Sequence, residues 1–105
     1  MSFLNTTHSG SVRNVIFQEN GEWFAVALEL NIIETGDSPQ EVMMLLDSAI
    51  KGYVDGTRKS GLSVGVLNQE VDPEYEALWN EVIEGNDTQH KIVYSTTVHQ
   101  LAALV

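Results

Sequence analysis

The dipeptide Asn20-Gly21, set between two β-forming runs, limits the fold of this chain more than any other local feature. A two-residue type I′ turn needs positive φ at both central positions, which Asn and Gly tolerate, and it commits its flanks to an antiparallel hairpin. Residues 12–19, with Val15, Ile16 and Phe17, form the first strand. The return strand, 23–30, alternates: Trp23, Ala25, Ala27 and Glu29 point one way, while Phe24, Val26, Leu28 and Leu30 point the other. The second set is uniformly apolar and is expected to face the core. A third short strand, 32–35, ends at Gly36-Asp37.

The strongest helix start follows at once. Ser38 is placed to cap, Pro39 suits the first helical position, and Glu41 falls three residues after the cap. Val42, Leu45, Leu46, Ala49 and Tyr53 then recur at helical spacing over 38–57, and Gly61 is a fitting stop. Residues 62–67 read as a short extended segment. Asp72-Pro73 repeats the cap-then-proline signal for a second helix bearing Tyr75, Leu78, Trp79, Val82 and Ile83, with Gly85 as terminator. Residues 89–100, rich in β-branched side chains, read as a fourth strand, which 101–105 either extend or leave frayed.

The expected fold is therefore α+β: a small antiparallel sheet of three to four strands, one long helix on one face, in the order β-β-β-α-(α)-β. At 105 residues the chain fits a single domain, 11–105, behind a flexible N-terminal tail, 1–10. Fifteen acids against five bases give a formal net charge of −10, which repels phosphate backbones and attracts basic partners. The tilt is uneven, for residues 62–105 hold seven acids and one base, Lys91. With no cysteine there is no thiol nucleophile, disulfide or thiolate metal site. No apolar stretch approaches the roughly 20 residues needed to span a bilayer, and the N-terminus lacks a secretory pattern, so a cytoplasmic location without membrane attachment is expected.

Residues 15–61 resemble the HicB-like family, the antitoxin half of HicAB toxin–antitoxin systems. The resemblance lies in the opening strand, the hairpin ending Gly21-Glu22-Trp23-Phe24-Ala25, and Gly36-Asp37-Ser38-Pro39-Gln40-Glu41-Val42 leading into the helix. It implies a compact β-β-β-α-β domain, a partial ribonuclease-H-like fold without catalytic carboxylates, that acts by binding a toxin. Two features depart from the family pattern. A Pro-x-Leu-Pro-Gly-Cys-like segment between the second and third strands is replaced by Ala27-Leu28-Glu29-Leu30-Asn31-Ile32-Ile33, and the C-terminus carries no basic DNA-reading helix. The chain thus looks like a stand-alone HicB-like domain.

Catalytic constellations are absent from the sequence. His8, His90 and His99 are scattered with no i,i+4 pair, no Gly-x-Ser-x-Gly elbow surrounds any serine, and Gly61 to Gly65 lacks a phosphate-loop pattern. No enzyme activity, cofactor or metal is expected. The candidate partner contacts are Trp23 and Glu29 on the outward face of the hairpin, with Met43, Ile50 and Val54 flanking the helical stripe. The leading expectation is a binding module that masks a small basic, toxin-like protein. The alternative is an RNA- or other nucleic-acid-binding protein of the same fold, disfavoured by charge because only Arg13, Lys51, Arg58, Lys59 and Lys91 could serve it. A homodimer is a further expectation, because the edges of a small sheet need cover.

Overall fold

The computed structural model describes residues 5–88 and 91–104. Four strands, β1 (Ser11–Glu19), β2 (Glu22–Ala27), β3 (Ile32–Gly36) and β4 (Ile92–Gln100), form one antiparallel sheet in the order β3-β2-β1-β4. Between β3 and β4 the chain forms the long helix α1 (Pro39–Ser60) and the shorter helix α2 (Pro73–Glu84). The α+β class and the expected order of elements are those observed.

The hairpin turn has the backbone its sequence demands, with φ of 53° at Asn20 and 80° at Gly21, and it is closed by the pair Glu19–Glu22. Ser38 caps α1 by accepting a hydrogen bond from the Glu41 amide at 3.1 Å. Gly61 ends α1 with φ of 68°. Asp72 and Gly85 bracket α2 in the same manner. These are local rules, and local residues satisfy them.

The placement of α1 differs from expectation. It lies on the Ala25–Ala27 side of β2, where Val42, Leu46, Ile50 and Val54 pack with Val12, Ile16 and Leu30. The opposite side, with Val15, Phe17, Val26 and Leu28, is covered by α2 through Leu78, Tyr75, Trp79 and Val82. The sheet is therefore the middle of three layers. Small alanines on β2 let a long helix approach, while the bulkier face takes the shorter one.

Smaller corrections follow from the backbone. β2 stops at Ala27 because residues 28–31 turn, with Asn31 at φ 55° and its amide donating to the Leu28 carbonyl. The segment expected to be extended at 62–67 is instead a 3-10 turn, Val64–Leu67, capped by the Ser63 hydroxyl. Of the segment read as a tail, residues 5–10 are tied down: Asn5 is buried, donates from Nδ2 to the Leu67 carbonyl and accepts from the Ser11 amide. Gln89 and His90 lie outside the described residues. Residues 101–104 turn as a 3-10 segment, with Leu101 buried in the α1-side core.

Candidate interaction surface

Ion pairing sorts the charged side chains into two populations. All five cations are held by carboxylates. Arg13, on β1, donates from Nε to Glu29 at 2.6 Å and through both Nη atoms to Glu76 at 2.7 Å, with its guanidinium 5.6 Å from the Trp79 ring centroid. The fork geometry of guanidinium against carboxylate makes this a bidentate, charge-assisted clamp between β1 and α2. The Arg13 guanidinium holds Glu76 below the usual carboxylate range, and Glu76 in turn raises Arg13.

Lys91 bridges Glu19 at 3.0 Å and Glu74 at 3.1 Å, and these partners, Glu19 first, raise its pKa. Arg58 and Lys59 both reach Asp55, which Lys59 above all holds below its ordinary range. Lys51 lies 3.8 Å from Asp47. Glu22, Glu34, Asp37 and Glu41, and likewise Glu70, Asp72, Glu81 and Glu84, have no Lys or Arg within ion-pair distance among the described residues. The first four lie along β3, at the hairpin end beside it and in the first turn of α1, and the other four on α2 or just before it.

The two edges of the sheet are consequently unlike. β3 is five residues long, with exposed Ile33 next to Glu34 and Asp37 just beyond it. β4 is nine residues long and carries no acid, Lys or Arg. Ile92, Tyr94 and Val98 on β4 are 65%, 51% and 46% exposed. Between β4 and α1 runs an open groove of about 460 Å³, lined by Met43, Met44, Leu46, Asp47, Thr97 and Val98 among others.

A polar relay lies along that seam. Asn14 Nδ2 approaches His99 Nδ1, and His99 Nε2 meets Asp47 Oδ1, both at 2.5 Å. With Asn14 donating, the imidazole keeps its proton on Nε2 and offers it to Asp47. Asn14 Nδ2 also lies 3.3 Å from the Val12 carbonyl and 3.4 Å from Thr97 Oγ1, so the relay ties β4 to β1 and α1. Asn14 Oδ1 and Ser95 Oγ, both buried along this seam, have no hydrogen-bond partner among the described residues. Among the described residues no group of three or more His, Asp or Glu is arranged to hold a metal ion, and no helix is long and apolar enough to cross a membrane.

The candidate contacts from sequence are scattered by this geometry. Met43 lines the groove and is exposed. Ile50 and Val54 are fully buried under α1 and have no surface to offer a partner. They continue the Val42–Leu46 line at four-residue spacing, so the buried stripe is centred there rather than on Leu45 and Tyr53. Glu29 is occupied by the Arg13 backbone amide and guanidinium. Trp23 packs against the α1-side core and meets Tyr94 edge-on, with ring centroids 6.1 Å apart. The relay and the two edges escaped the sequence reading, because each joins residues more than fifty positions apart or depends on which strand ends up outermost.

Fold and surface together define a three-layer α+β domain with one acidic and one uncharged sheet edge. Comparison with protein-family models, with curated proteins and with solved structures finds no significant match.

Proposed function

We propose that this chain is a non-catalytic protein-binding module of antitoxin type, which masks a small basic protein at its acidic β3 edge. The observation that carries this reading is the disposition of charge. Every Lys and Arg is engaged by a carboxylate of the same chain, whereas Glu22, Glu34, Asp37 and Glu41 flank the open β3 edge with no such partner among the described residues; Glu70, Asp72, Glu81 and Glu84, on and before α2, also lack one. A negative field of this kind speeds encounter with a basic surface. The outer backbone groups of β3 and the exposed Ile33 then supply the short-range contacts of strand addition.

The HicB-like resemblance points the same way, since that family works by covering a toxin. The nucleic-acid alternative requires cations free to meet phosphates, and here each would first have to give up an intramolecular partner. Capture on the immobilised protein from its native cell extract at low ionic strength tests the choice. Recovery of a small basic protein that elutes as salt is raised agrees with the proposal. A mobility shift with RNA or DNA at the same ionic strength, with no basic protein recovered, overturns it.

A further inference from the structure

The uncharged edge calls for its own explanation. Natural edge strands are shielded by charge, proline, brevity or a covering element, because a bare edge is a template for another strand. The β3 edge is short and carries Glu34. β4 has nine residues, no proline and no Asp, Glu, Lys or Arg, its His99 is hydrogen-bonded to Asp47, and among the described residues β1 is its one neighbour in the sheet. Its single protective device is a bulge: Ile16 pairs with Ser95 and Phe17 with Val93, so Tyr94 is the extra residue. That leaves 95–100 as a regular, unbroken stretch.

We propose that β4 pairs antiparallel with β4 of a second copy of this chain, about a two-fold axis crossing 95–100, to give an eight-stranded sheet. Charge selects the occupant. A basic peptide would be drawn to the β3 side, whereas β4 itself carries no carboxylate and Asp47 beside it is held by His99 and Lys51, so two chains of net charge −10 can meet there. A strand paired with its own copy is isologous, so each side chain meets the same neutral set. The flanks fit a second copy as well. Val98 stands exposed on β4, and Met44, 65% exposed, stands beside the groove on the α1 side, where a flexible thioether can fill against its symmetry mate. The β3 edges then lie at the two outer ends, 3-2-1-4-4-1-2-3, and both remain open. The pairing does not depend on the identity of the basic partner.

Sedimentation of the purified chain without any partner tests this directly. The expected mass is twice the 11.6 kDa monomer. Val98→Lys, which sets like charges close to the axis at an exposed site, is expected to return the monomer with unchanged far-ultraviolet circular dichroism. Ile83→Lys on α2 adds the same charge and is expected to leave the dimer intact. The chain lacks cysteine, so Val98→Cys is expected to form an intermolecular disulfide on mild oxidation. A wild-type monomer at concentrations well above micromolar overturns the proposal, as does a dimer that survives Val98→Lys and fails to cross-link through residue 98.

Discussion

Arg13 shows how much one side chain carries in a fold this thin. Its guanidinium joins the turn after β2, through Glu29, to the first turn of α2, through Glu76, and rests on Trp79. Glu76 has a folded pKa below its ordinary 4.5, so the pair contributes stability above that value and loses it as the pH falls through the lowered one. Glu76→Gln is therefore expected to be less stable than wild type at pH 7 by up to about 1 kcal/mol, since the pair is partly screened by water. Urea denaturation across pH 7 to 3 should show that gap closing on acidification. A gap that widens would contradict the assignment. Ser38→Ala, which removes the cap from α1, is expected to cost about 1 kcal/mol in the same assay. These caps and the Asn20-Gly21 turn were legible because each is a rule about neighbours in sequence. The Arg13 clamp was not, for nothing local links positions 13 and 76.

Among the elements, α1 divides most sharply into a packed and a free side. Ile50→Ala is expected to destabilise by about 2–5 kcal/mol through the cavity it leaves, and Met44→Ala by well under 1 kcal/mol. Thermal or urea unfolding of the two variants separates the sides, and comparable losses would contradict the register of the helix. The sheet teaches a second lesson. β1 carries apolar residues at both parities, Val12 and Ile16 on one face, Val15 and Phe17 on the other. Such a strand signals burial on both faces, yet the alternation of β2 alone pointed to one. Ala25 and Ala27 looked like an outward face because they are small, and smallness is what admits a helix there. The end of β2 was misplaced for a related reason: Leu28 and Leu30 keep the apolar rhythm through a turn that only Asn31 betrays.

At the scale of the whole molecule, the net charge was visible in the composition, but its distribution was not. The fold gathers neutral β4 at one edge and places Glu34 and Asp37 at the other, a contrast set by strand order rather than by any motif. The proposed reading gives the two edges separate tasks, a basic partner at β3 and a second copy at β4. It predicts that basic-partner binding weakens as salt is raised, whereas the dimer, joined through neutral side chains, changes little. Sedimentation and capture over the same salt series would show the two responses diverging; parallel loss of both would contradict the division. The most direct measurement compares capture of the basic protein by wild type and by Glu34→Lys/Asp37→Lys from one native extract at low salt. Loss of that protein from the double variant, with its own dimer preserved, is the predicted result, and equal capture by both proteins would contradict it.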